Sequence, residues 1–266
     1  MEPRVSTAGT GAIRALLELG ELRVWSVVIT IFGDLARAPG QRIAASDLRR
    51  LTRPMNIRDD SLRVAVHRLK KDGWLRAQRV GRNSLYFLTT RGFRDCHQAR
   101  ARIYAQGPPG VDEMRVVVAA NGGAAAQALA ARGFVQIAPR CYLGAADNLP
   151  PDPACLVLHP QPSHVPSWVR HALAPPGVGA CYQRLLDALE TVERATRRAG
   201  HLAPDSQAAL RVLVVHRWRQ VLLRHADLPA AFLPDDWRTE ACRALVLRLL
   251  ERLPRPEGIV SGATLP

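Results

Sequence analysis

Ser61, Arg63, Val64, His67, Arg68 and Lys71 recur at helical spacing between Asp59 and Asp72. Side chains three or four apart share one side of a helix. Leu62, Ala65, Val66 and Leu69 fall on the opposite side and are expected to pack inward. An outward surface of this make-up can do one kind of chemistry well. Arg and Lys reach guanine O6/N7 or phosphate oxygens, and His and Ser donate to either. Val64 offers only apolar contact, for instance to a thymine methyl. Further on, Arg79, Arg82 and Asn83 surround a Gly-containing turn, where a hairpin tip would carry them to phosphates or the minor groove. The bland alternative is a solvated charged face and a polar turn. The sequence of the parts argues against it: a short helix, a basic helix, Gly73-Trp74-Leu75, then a hairpin. That is the layout of a winged helix-turn-helix.

A second constellation lies far along the chain. His216 and Arg219 are three apart, so they share a side of a helix expected from Asp205 to His225. Val212, Val215 and Leu223 are neighbours on that side, while Leu210, Leu213, Val214 and Val221 cover the other. A helix apolar nearly all round is buried. A buried Arg219 is costly without an anion. The anion is either a protein carboxylate such as Asp235 or Asp236, or the phosphates of a ligand.

The elements that must position these residues follow from periodicity and breakers. Residues 1–20 form an arm or a short helix. Leu22 to Leu35 is helical, with Gly33-Asp34 as a kink or stop. Ser46 is a candidate N-cap for a helix from Asp47 to Thr52 that Pro54 ends. Arg76 to Arg79 and Ser84 to Thr89 are strands, and Gly92 to Gln106 is a helix leading away. Gln106-Gly-Pro-Pro-Gly110 is the strongest linker signal. Met114 to Ala120, Phe134 to Ile137 and Cys155 to His159 read as strands around an Ala-rich helix from Gly123 to Arg132. From Ala180 the chain is helical: Tyr182 to Arg198, Asp205 to His225, and a last helix capped by Asp235 or Asp236 and running to Leu253. The fold class is α+β, in five segments: an arm (1–20), a winged-helix domain with linker helix (21–107), a small α+β domain (111–175), a helical domain (178–255) and a tail (256–266).

Charge supports a polyanion partner. The 266 residues carry a net +14, unevenly spread. Residues 1–107 hold 20 Lys+Arg against 9 Asp+Glu, and residues 108–266 hold 17 against 14. Lys70 and Lys71 are the chain's two lysines, so a bias toward Arg is real, but a bias does not explain the asymmetry. Five scattered cysteines without a Cys-x-x-Cys clip suggest free thiols in a reducing cytosol. The histidines form no metal-ligand spacing, so no metal and no cofactor are expected. No secretory signal is visible, and the longest apolar run, Val24 to Gly33, is about half a membrane span. The expected location is the cytoplasm.

Three stretches resemble the PaaX family, the repressors of phenylacetate degradation. They are Ile29 to Asp34; Leu62 to Leu75 with Gly81 to Tyr86 and Leu88-Thr89; and Val215 to Arg219 with Asp227 to Trp237. The pairing of His-x-Trp-Arg with Leu-Pro and Leu-Pro-x-x-Trp is the specific part. The resemblance implies a winged helix, a ferredoxin-like middle domain and a helical C-terminal domain. It also implies a homodimer that represses transcription and releases operator DNA on binding an aryl-CoA thioester, typically phenylacetyl-CoA. Ligand contacts are then expected from His216, Trp218, Arg219 and Trp237. The chain departs from the family where Arg217 replaces a commonly acidic residue, and where Val111 to Arg115 lacks the usual Trp-containing entry to the middle domain.

An enzyme is the competing class. A ferredoxin-like domain resembles that of small CRISPR-associated nucleases, which place a carboxylate at the end of the first strand. Here that strand ends Val118-Ala119-Ala120-Asn121-Gly122. No paired carboxylates, Ser/His/Asp set or phosphate-binding loop stands out. A DNA-binding regulator or structural protein without an acyl-CoA response is the other alternative.

Overall fold

A computed structural model describes residues 7–110, 113–120, 123–150, 155–174, 177–226, 228–234 and 236–262. Among them the fold is α+β, with helices α1–α10 and two four-stranded sheets, all of whose pairings are antiparallel. The chain divides into two compact units. One comprises Met1–Ala105, Arg184–Gln220 and Ala241–Pro266; the other comprises Gln106–Gln183 and Val221–Glu240. A linear reading keeps 178–255 together as one helical segment. The fold instead groups most of those helical residues with the first hundred, because the buried faces of the late helices pack on the early ones.

In the first unit, α1 (Thr7–Leu17) precedes α2 (Val24–Leu35). Every residue of α2 from Ser26 to Phe32 is buried, as its nearly unbroken apolar sequence requires. Strand β1 (Arg42–Ala44) runs directly into α3 (Ala45–Thr52). The expected cap, Ser46, is therefore inside the helix. Ala44 is the cap residue, because its pairing with Leu85 fixes where the extended chain ends. Pro54 sits in a 3-10 turn, Arg53–Met55, that follows α3, and Asn56 closes that turn at φ 57°. Helix α4 (Asp59–Lys71) has Leu62, Ala65, Val66 and Leu69 buried, the residues its periodicity selects.

Strands β2 (Leu75–Val80) and β3 (Asn83–Leu88) form a hairpin with Val80 opposite Asn83. Gly81 opens its two-residue turn at φ 59°, a conformation that suits glycine. Helix α5 (Thr90–Ile103) follows. Thr89 Oγ1 accepts from the Gly92 N–H at 3.0 Å and donates to the Gly73 carbonyl at 2.7 Å. A Cβ on Gly92 would lie 2.6 Å from the Trp74 carbonyl oxygen, so only glycine fits that junction.

The second unit holds β4 (Met114–Ala119), α6 (Ala124–Ala131), β5 (Val135–Ala138), β6 (Cys141–Ala145), β7 (Cys155–Leu158) and α7 (Ser167–Leu173). The sheet order is β5-β6-β4-β7. Sequence reasoning missed β6, a short strand broken up by Gly144 and entered from Pro139-Arg140. Gly144 is required there: a Cβ would lie 2.6 Å from the Phe134 ring. Met114 and Leu143 pack in one core, with Phe232 and Leu233; Val117 and Tyr142 pack in another, with Leu129 and Phe134.

Helices α8 (Val178–Ala199), α9 (Pro204–Leu222) and α10 (Thr239–Arg252) complete the set. Helix α9 opens on Pro204, which has no N–H to leave unpaired. Asp205 lies in its first turn rather than capping it. Helix α10 starts at Thr239, so Asp236 does not cap it; Asp235, the other expected cap, lies outside the described residues. Strand β8 (Val260–Ser261) joins the first sheet beside β1, giving the order β2-β3-β1-β8.

Candidate nucleic-acid interface

Helix α4 presents Arg63, Val64, His67, Arg68 and Lys71 to solvent, with Ser61 half-buried at the edge. Val64 is 68% exposed, on a helix whose other apolar residues are buried. The two arginines expected to read bases differ in how they are held. Arg63 is ion-paired with Asp60 on the same face. Arg68 lies 3.5 Å from Asp72 and over the Trp25 ring, its Cζ 5.7 Å from the centroid. Arg68 is thus held in place from two sides, and Lys71 is exposed at the end of the helix. Asp59 and Asp60 occupy the first turn, where they favour the helix dipole but repel phosphate. The positive end of this surface is therefore its C-terminal half.

The hairpin extends that positive surface. Arg76, Arg79, Arg82 and Asn83 are all exposed. Arg79 Nε donates to the Gly81 carbonyl at 3.3 Å, which orients one arginine at the tip. Val80 is 51% exposed beside them.

The second set of sequence candidates is divided between the two units. Trp218 is fully buried, and its indole N–H donates to the Ile103 carbonyl at 2.9 Å. The Arg243 guanidinium covers its ring at 5.5 Å. His216 is also fully buried, with Nδ1 2.9 Å from Thr30 Oγ1. The Thr30 hydroxyl donates to the Ser26 carbonyl, so His216 Nδ1 carries the proton and Nε2 is left bare and without a partner among the described residues. Burial, reinforced by the Arg219 and Arg217 charges, lowers the His216 pKa to about 3. Arg219 is largely buried, and its Nη1 donates to Thr30 Oγ1 at 3.0 Å and to Ser26 O and Oγ at 3.2 and 3.3 Å. Those partners are neutral oxygens rather than a carboxylate. Trp237 belongs to the other unit. It sits in a ring cluster with Tyr182 and His225, at centroid distances of 5.5 and 5.4 Å.

Sequence reasoning passed over a different group altogether. Arg100, Arg211, Arg217 and Arg243 are buried. Each brings its guanidinium to the orphan carbonyls at the C-terminus of another helix. Arg100 donates to Gly33 and Ala36 at 2.8 and 2.9 Å, closing α2. Arg217 donates to Leu16 and Leu17 at 2.8 and 3.2 Å, closing α1. Arg243 donates to Arg102 and Ala105 at 3.3 and 3.5 Å, closing α5. Arg211 donates to Leu250 and Leu253 at 3.2 and 2.6 Å, closing α10. Arg211 also grips Asp34 with two bonds of 2.7 and 2.9 Å, and Tyr104 donates to the same carboxylate at 2.7 Å. Burial and that carboxylate both raise the Tyr104 pKa. The available signal was an isolated charge in an apolar helical run, at Asp34 and at Arg211. The departure noted at Arg217 has the same explanation: this chain uses that position to cap α1.

Among the described residues, no cluster of His, Cys, Asp or Glu could hold a metal ion, and no helix is long and apolar enough to cross a membrane. The cysteines are free thiols. Strand β4 ends at Ala119, while Asn121 and Gly122, which bear on the nuclease alternative, lie outside the described residues.

Residues 23–92 match the family model described as PaaX-like protein, and residues 176–257 match that of the PaaX-like protein C-terminal domain. Transcriptional repressor PaaX of Escherichia coli (strain K12) is 24% identical over 251 residues, spanning 86% of this chain and 79% of that protein. The solved structure of uncharacterized protein Rv0674 from Mycobacterium tuberculosis covers 88% of this chain and 98% of its own, at 21% identity and a TM-score of 0.49.

Proposed function

The chain belongs to the PaaX-like protein family, and on that premise we propose that it is a DNA-binding transcriptional repressor. In this reading α3 and α4 are a helix-turn-helix and the β2–β3 hairpin is its wing. The second unit's sheet, with its order β5-β6-β4-β7, is ferredoxin-like. One observation carries the reading: α4 exposes Val64 together with Arg63, His67, Arg68 and Lys71, directly before a hairpin tipped by Arg79, Arg82 and Asn83. A groove-inserted helix needs such a mixture of cation, donor and methyl group. The likeness to a repressor supports the regulatory half.

The protein acts in the cytoplasm as a homodimer, whose two α4 helices read half-sites spaced by helical turns. It is no enzyme. An aryl-CoA thioester such as phenylacetyl-CoA releases it from the operator of an aromatic-acid catabolic operon. A second reading, a DNA-binding regulator without acyl-CoA response, is favoured by the burial of His216 and Trp218, whose polar groups serve the core.

The test selects duplexes in vitro with purified protein, then follows binding by fluorescence anisotropy across a salt series. The expected result is tight binding to a pseudo-palindrome with a steep salt slope. Binding no tighter than to random duplex sinks the proposal. Adding phenylacetyl-CoA to the bound complex separates the two readings: release supports the first, and unchanged binding the second.

A further inference from the structure

Within the first unit, a cavity of about 60 Å³ opens between α2, α5 and α9. That is room for roughly four water molecules. Its walls are mostly apolar, from Ile29, Trp74, Ala99, Ile103 and Val215, and Arg219 lines it too. Nη1 of that guanidinium is hydrogen-bonded; Nε and Nη2 have no protein partner among the described residues. The two carboxylates at the cavity are committed elsewhere. Asp34 is held by Arg211 and Arg255, and Asp95 by Arg91 and Arg94 at 3.8 and 3.5 Å. Arg100, also in the wall, is taken up by the α2 carbonyls. What remains is a largely buried cation facing a small apolar space with no free anion beside it among the described residues.

We infer that this cavity binds a short monocarboxylate, its carboxylate on Nε and Nη2 of Arg219 and its alkyl end against Ile29, Trp74 and Val215. The fork of a guanidinium matches the two oxygens of a carboxylate. A phosphate dianion would find one cation not already committed to the α2 carbonyls, and mostly apolar walls. The space suits a molecule the size of propionate and is far too small for a coenzyme A thioester.

Trp74 gives the site a route to the DNA surface. Its N–H donates to the Leu69 carbonyl of α4 at 2.9 Å, and its carbonyl accepts from the Thr89 N–H at 3.0 Å. It is the hinge between α4, the hairpin and α5, and it forms one wall of the cavity. An occupant that displaces the Trp74 ring re-aims α4 relative to the hairpin. This coupling rests on the DNA-binding reading above, whereas the site itself does not.

The experiment titrates propionate into the full-length protein, reading binding by calorimetry and, separately, anisotropy of a duplex selected in vitro. Wild type is expected to saturate at millimolar propionate or tighter, and R219Q to show no saturation. A99L, which fills the cavity while keeping Arg219, is expected to abolish propionate binding as well and covers the case in which R219Q does not fold. Propionate is expected to weaken duplex binding about fivefold or more. The site is overturned by no saturable binding to wild type, by equal binding to A99L, or by chloride, phosphate or phenylacetate binding as well as propionate. Saturable propionate binding that leaves duplex affinity unchanged overturns the coupling alone. Absence of specific duplex binding overturns the repressor reading and leaves the calorimetric result to decide the site.

Discussion

Arginine does two opposite jobs in this molecule. On α4 and the β2–β3 hairpin, Arg63, Arg68, Arg76, Arg79 and Arg82 are exposed, and the carboxylates that pair with Arg63 and Arg68 are neighbours in sequence. In the core, Arg100, Arg211, Arg217 and Arg243 are buried on the carbonyl ends of α2, α10, α1 and α5. The first group holds its charge where water and salt screen it and a phosphate can reach it. The second has given up its water for carbonyl dipoles, joined at Arg211 by the Asp34 carboxylate. Net charge counts both groups alike, so it overstates the surface available to a polyanion. Position relative to a helix end separates them.

The largest effect tests the buried group. Arg211→Ala leaves Asp34 buried without its bidentate partner and is expected to cost about 3–5 kcal/mol of stability, read by urea unfolding. A change under about 1 kcal/mol would place this pair with the surface ones and erase the contrast. Next is the pH response of His216, which those same buried helices enclose. Its folded pKa, about 3, lies below the unfolded value of 6.5. The unfolded state therefore binds the extra proton between those values. Stability from this group is complete above pH 6.5 and falls as the pH drops toward 3, by about 2 kcal/mol at pH 5. Denaturation midpoints at pH 7 and 5 for wild type and His216→Gln measure it; an unchanged difference in the variant rules out His216 as the source.

The exposed group has the reverse profile. Replacing Arg79 and Arg82 together by Ala is expected to leave stability within about 0.5 kcal/mol. The same change lowers the salt slope of DNA binding by about one unit for each phosphate that is no longer neutralised. A double variant with normal affinity and slope would reduce the hairpin arginines to solvated charges. The smallest effect is at Val64. Val64→Ala is expected to relax operator preference at one base pair by about 1 kcal/mol while raising helix stability by a few tenths. Selection of duplexes by the variant would show whether a thymine position is freed.

The legible part of the fold was local. Helix α4 and the hairpin were readable because Leu62, Ala65, Val66 and Leu69 mark a buried stripe and Gly81 marks a turn. Strand β6 was not, since Gly144 is dictated by the Phe134 ring, a contact that leaves no periodic signal. The cap of α3 was misplaced because strand pairing at Ala44, rather than the Ser46 hydroxyl, sets the helix start. In the candidate site, Arg63, Val64, His67, Arg68 and Lys71 do share an exposed side. The hydrogen-bond partners of His216 and Trp218 were not legible in sequence. Those partners, Thr30 and the Ile103 carbonyl, are more than a hundred positions away.

By itself the sequence determined which residues of α4 face out, the basic character of that surface and the chain's family, because each is written in residue type and short spacing. Only the tertiary structure decided which arginines are free to meet an anion. A guanidinium's role depends on what surrounds it. For Arg100, Arg211, Arg217 and Arg243 the surroundings are helix ends supplied from 39 to 201 positions away, for Arg219 a cavity wall, and for Arg79 and Arg82 open water.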